Sequence, residues 1–206
     1  AVTVRNNVVG DIYKFRRMGK GLANQKSTSD LVTPMDVTHE FKNATLANWN
    51  APEYTDIFDQ QEVNFDEKQE LANTIAGALG RRCDQLVIDA MDASTPLTSP
   101  VTGSTTNLTM EKVISAQVEL RDQGVPSSEL FAVIEAGGLG GLLNDEKATS
   151  GDYQAIKALV SGEINTLVGF QFIILETRTE GGLTEAANVV DSWFFQRPAV
   201  GLAIGI

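Results

Sequence analysis

Between Val8 and Met18 the apolar side chains Val8, Val9, Ile12, Tyr13 and Phe15 are interleaved with charged ones, an imperfect period of two that predicts a strand. The stretch from Gly19 to Asp30 is too polar to be buried, and a second strand is expected from Val37 to Leu46, with Val37, His39 and Phe41 on one face. Two strands joined by a long polar tip form an extended hairpin, which buries little of its own surface and needs a partner chain to lie on. From Asn64 the period changes. Leu71, Ile75, Leu79, Cys83, Leu86 and Ala90 recur at steps of three and four, one stripe of a helix of about 27 residues and roughly 40 Å. Asn64 is the expected N-cap, and Asp66, Glu67 and Glu70 fall where the helix dipole favours acids. Gly77 and Gly80 each cost up to ~1 kcal/mol relative to Ala, so they are expected to mark close approach to a strand or a mild bend.

The run ASTPLTSPVTGSTTN, rich in Ser, Thr and Pro, predicts a connection between two substructures. A shorter helix is expected over about 109–123, closed by Gly124 and the Val125-Pro126 break. Further strands are expected at Leu130 to Glu135, Val168 to Glu176 and Trp193 to Ile206, with a polar loop and short helix within 142–162. Helices and strands mix without a regular βαβ rhythm, so the expected class is α+β.

Composition changes this picture little. With 206 residues, 42% hydrophobic and 21% charged, the chain is ordinary globular material. No apolar run approaches the roughly 18 residues of a membrane span, and the start lacks the layout of a signal peptide, so a soluble intracellular product is expected. The chain begins at Ala1 without an initiator Met and stops in the apolar AVGLAIGI, so further segments are expected at both ends. Charge changes the picture more. The net charge of −11, from 27 acidic and 16 basic residues, repels phosphate and argues against sequence-specific DNA binding. Yet Arg5, Lys14, Arg16, Arg17, Lys20 and Lys26 lie in the first 26 residues, where Asp11 is the only acid. A basic arm on an acidic body suits subunits that meet head to tail, and a solvated face is the plain alternative.

Candidate chemistry comes out negative. EAGGLGGLLND at 135–145 reads as a tight Gly-rich turn after a strand, but Leu143 stands where a dinucleotide fingerprint needs its third glycine, and no Lys follows until Lys147. Asp84, Asp89 and Asp92 read as a solvated helix face with no second acidic cluster placed opposite them. His39 has no Ser or Cys nucleophile partner. Cys83 alone forms no internal disulfide, and one His and one Cys exclude a site built from several such ligands. No catalytic residue, cofactor or metal is expected.

The order of these pieces resembles the tailed-phage major capsid family. Its specific echoes are LTMEKVISAQVELRDQGVP, similar to the family's first axial-domain helix, and ELFAVIEAGGLGGLLND, similar to a strand ending in a glycine turn and a Leu-Leu pair. DYQAIKALVSGEINTLVGFQFIILE carries a Gly-Glu-Ile, Gly-Phe and apolar-strand order that recurs in phage coat proteins, and WFFQRPAVGLAIGI is similar to the late strand that returns to the sheet. The resemblance implies a Hong Kong 97-like fold: an N-terminal segment and E-loop hairpin in 1–50, a peripheral domain with a spine helix in 51–106, and an axial domain with return strands in 107–206. It also implies a non-enzymatic subunit that self-assembles as pentamers and hexamers into the icosahedral head of a tailed phage, assembled in the host cytoplasm. Scaffolding, portal and cement proteins are the further partners, packaged DNA is touched only non-specifically, and no membrane is involved. Lys14, Arg16, Arg17, Lys20 and Lys26 would make inter-subunit contacts. Three alternatives stay open: an encapsulin-like nanocompartment shell, a small α+β enzyme using the Gly-rich turn at 137–141, and a tail-tube or decoration protein, neither of which usually needs the long helix.

Overall fold

A computed structural model describes residues 1–54, 66–94, 107–144, 166–186 and 189–205. The chain divides into two compact units, an arm of Val4–Asn48 with Gly201–Ile206, and a body of Ala1–Thr3 with Trp49–Val200.

In the arm, β2 (Ile12–Met18) pairs antiparallel with β3 (His39–Thr45), from Ile12 opposite Thr45 to Met18 opposite His39. Backbone bonds extend the ladder at both ends, from Leu46 N–H to the Asp11 carbonyl (2.8 Å) and from Gly19 N–H to the Thr38 carbonyl (2.8 Å). The expected hairpin is present, but its first strand begins later than the pattern predicts. Val8 belongs to a separate strand, β1 (Thr3–Val8), and Gly10 breaks the chain at φ +103, a conformation that only glycine adopts without strain. β1 pairs with β10 (Gly201–Gly205). The expected single strand from Trp193 onward is therefore two: β9 (Trp193–Gln196) stays with the body sheet and β10 leaves it, separated by a 3-10 turn at Arg197–Ala199 that contains Pro198.

The body is organised around β4 (Leu130–Glu135), which matches its predicted limits. It lies beside β6 (Phe170–Leu175) in parallel and β9 in antiparallel pairing, and β5 (Thr166–Leu167) closes on β6 through a two-residue turn with both φ positive, Val168 at 52 and Gly169 at 81. One sheet face, with Leu130, Ala132, Ile134 and Phe170, packs on α2 (Met110–Asp122) through Met110 and Val113 and on α3 (Ala136–Asn144) through Leu142. The other, with Val133 and Phe195, packs on Ile88 and Met91 of α1 (Glu67–Asp92) and on Leu183. Helices cover both faces, which is why β4 reads LFAVI without polar alternation. A small pair, β7 (Glu185–Ala186) with β8 (Val189–Val190), follows.

α1 forms as expected, but its cap and its buried stripe differ. The N-cap is Asp66, whose carboxylate accepts from Gln69 N–H at 3.3 Å; Asn64 and Phe65 lie outside the described residues. The buried positions are Gln85, Ile88 and Met91, whereas Leu71 and Ile75 are only half-buried and Leu79 is 38% exposed. Only the last turns of the helix lie under the sheet. Gly77 and Gly80 face no strand: a Cβ at Gly77 would meet Arg81 alone, and one at Gly80 would meet nothing. The Gly-rich stretch expected as a turn at 137–141 is the helix α3. A Cβ at Gly141 would lie 2.8 Å from the Leu108 carbonyl, so glycine lets this helix approach 107–108 closely enough to bury Leu142. The linker at 95–106, the Gly-Glu-Ile of 162–164 and most of the loop and helix expected at 142–162 lie outside the described residues.

Candidate assembly surfaces

The strand register fixes what each face of the arm presents, because residues opposite one another across an antiparallel pair share a face. On one face stand Ile12, Lys14, Arg16 and Met18 with Thr45, Asn43, Phe41 and His39. On the other stand Tyr13, Phe15 and Arg17 with Ala44, Lys42 and Glu40. The Tyr13 and Phe15 rings meet edge to face at 4.8 Å, and Phe15 lies against Gly201, where a Cβ would sit 2.7 Å from the ring. That face is therefore partly covered by the arm's own β10.

The first face has no such cover. Lys14 Nζ lies 4.9 Å from the Phe41 ring centroid, a cation–π contact worth about 0.5–1 kcal/mol when exposed. Lys14 and Arg16 share this face with no carboxylate opposite them in the ladder. Arg17 is on the other face, opposite Glu40, so the three β2 cations do not act as one patch. Lys20 and Lys26 lie in the exposed segment between the strands. Sequence reasoning missed the exposed apolar side chains that accompany them: Leu22 is 81% and Leu31 93% exposed, with Val32, Met35 and Phe41 also outward. Among the described residues, ten of the sixteen exposed large hydrophobics belong to the arm, nine of them between Val4 and Phe41, which sets the arm apart from scattered surface apolar residues.

Charge divides along the same boundary. The arm holds Arg5, Lys14, Arg16, Arg17, Lys20, Lys26 and Lys42 against Asp11, Asp30, Asp36 and Glu40, a net +3; since the whole chain is −11, the body carries −14.

Within the body, the 178–182 turn grips α1. Gln85 Oε1 accepts from Gly181 N–H at 2.8 Å while its Nε2 donates to Asp89 at 2.8 Å, and Gly181, at φ +73, leaves no room for a Cβ beside Arg81. Arg82 reaches Glu180 at 3.6 Å and lays its guanidinium 3.8 Å over the Trp49 ring. Neither Trp49 nor Arg82 carries a signal in the sequence, because their contact joins positions far apart in the chain. Asp89 is thus a partner of Gln85, Asp84 and Asp92 are solvent-exposed, and His39 is an exposed strand residue opposite Met18. Among the described residues no three His, Cys, Asp or Glu side chains converge as a metal site, and no helix is long and apolar enough to cross a membrane.

Three comparisons place the chain. It resembles a structure of Mycobacterium phage Che8 with a TM-score of 0.65 at 17% identity, covering 95% of this chain and 71% of that one. It resembles the capsid structure of cyanophage P-SCSP1u with a TM-score of 0.62 at 13% identity, again over 95% and 71%. The asymmetric unit of the bacteriophage PhiM1 mature capsid follows at 0.55 and 12%, over 91% of this chain and 64% of that one. At these identities the likeness is one of fold. No curated protein matches the chain. The family model for phage capsid protein matches residues 1–206, so the chain belongs to the phage capsid protein family and is a major capsid protein, a structural subunit of the phage head shell.

Proposed function

We propose that the chain adopts the Hong Kong 97-like version of the capsid fold, with residues 1–50 carrying the hairpin as an E-loop, 51–106 a peripheral domain with α1 as its spine helix, and 107–206 an axial domain. Its role is mechanical and not enzymatic. The arm gains stability by lying across the acidic body of an adjacent copy, and the axial domain meets its copies around five- and six-fold axes. Lys14 and Arg16 make the inner contacts of the arm, beside Phe41, while Arg17, Lys20 and Lys26 reach the neighbour along its edge and tip. Assembly takes place in the host cytoplasm with scaffolding, portal and cement proteins, and the acidic body touches packaged DNA only non-specifically.

The observation that carries this reading is the uncovered Lys14/Arg16/Phe41 face in a unit of net +3, matched by a body of −14. Charge complementarity of this kind sets register and the rate of encounter more than raw affinity. The test is to express the chain with native ends and examine it by negative-stain electron microscopy and mass photometry. Closed shells, or rings of five and six, are expected from the wild type, and Lys14→Glu with Arg16→Glu should leave free subunits. A wild type that stays monomeric at high concentration with scaffold supplied refutes the proposal.

A further inference from the structure

Helix α2 buries Met110 and Val113 in the core and turns its opposite side outward. At about 100° of turn per residue, Ile114, Val118 and Arg121 form an exposed flank beside Met110, and Glu111, Ser115 and Asp122 form the outermost line next to it. Ile114 is 44% and Val118 50% exposed, so that flank is apolar. Among the described residues, the Glu111, Arg121 and Asp122 side chains make no ion pair or hydrogen bond within the chain.

A contact that repeats around a cyclic axis joins two different surfaces that fit each other, unlike a two-fold contact in which one surface meets itself. The strip on α2 carries both halves: an apolar edge ending in a base, and an edge of small and acidic residues. We propose that this strip is a ring contact with a second copy of the chain, in which Arg121 of one α2 meets Asp122 of the next, and Ile114 seats against Ser115 between Glu111 and Val118. Arg121 and Asp122 are successive residues, so helices standing side by side at one level bring them together. The inference rests on the shell reading and adds to it a specific pair of residues.

The test compares Arg121→Glu, Asp122→Arg and the double variant in the full chain, scored by mass photometry and electron microscopy, with far-UV circular dichroism and thermal melts on each. Both residues are solvent-exposed, so the melts should match the wild type. Each single reversal sets like charges against each other at every contact of a ring, and the assembled fraction should fall roughly tenfold or more. The double variant restores opposite charges and should recover shells. Wild-type yields from the single variants, or a double variant no better than either single one, would overturn the proposal. If the wild type itself forms no shells or rings, the shell reading fails first and the ring contact with it.

Discussion

Gly140 and Gly141 are neighbours in α3 with opposite surroundings. A Cβ at Gly140 would meet nothing within 4 Å, whereas one at Gly141 would lie 2.8 Å from both Asn107 Cβ and the Leu108 carbonyl. Gly140→Ala should therefore stabilise the chain by up to ~1 kcal/mol through helix propensity. Gly141→Ala gains the same propensity but overpacks the interface, which costs about 1–3 kcal/mol, so it should be neutral to destabilising. The melting temperature should rise for Gly140→Ala and stay level or fall for Gly141→Ala; two equal upward shifts would mean that α3 does not rest on 107–108. The glycines were legible in the sequence, but their role was not. Local chemistry reads AGGLGG as a turn, and only the burial of Leu142, 0% exposed, makes a helix of it. Gln85 went unread for a similar reason: a glutamine breaks an apolar stripe on paper, yet its two hydrogen bonds let it sit at a buried position.

At the scale of the element, α1 is one helix with two environments. Its acidic first turn and length follow from local sequence and were readable, whereas the cap, expected at Asn64, stands at Asp66. Which turns are buried was not. Ile88, 2% exposed, packs with Val133 and Phe195, so Ile88→Ala should cost about 2–5 kcal/mol, whereas Leu79→Ala should cost well under half as much. Chemical denaturation of both variants checks this, and equal losses would mean that the first turns of α1 are packed as tightly as the last. The Leu71 and Ile75 side chains are half-buried and Leu79 is 38% exposed, so this part of the stripe contributes less to the core than its period suggests.

At the scale of the molecule, the division of charge is +3 in the arm and −14 in the body. The proposed contact between the arm of one copy and the body of another would be an exposed electrostatic one, and the Debye length falls from about 10 Å at 0.1 M salt to 3 Å at 1 M. Assembly of the wild type should therefore slow as salt rises over this range. Light-scattering kinetics at several salt concentrations read this out. An assembly rate that rises with salt would instead give the leading part to the apolar side chains of the arm, since excluded salts strengthen apolar burial.

The sequence by itself determined the elements whose causes are local. These are the hairpin, from two runs of alternation around a polar tip; α1 and α2, from their helical periods and, for α2, the stop at Gly124; and β4, from an apolar run of strand length. It also determined the charge asymmetry, which is a matter of counting. Tertiary structure alone decided which residues face which. It divided the final strand at Pro198 between body and arm, turned a glycine-rich segment into a helix, placed Arg16 beside Phe41 and Arg17 opposite Glu40, and laid Arg82 on Trp49. Those outcomes depend on contacts between distant positions, whose energies come from area removed from water and from the fit of neighbours, and neither quantity exists until the chain has folded.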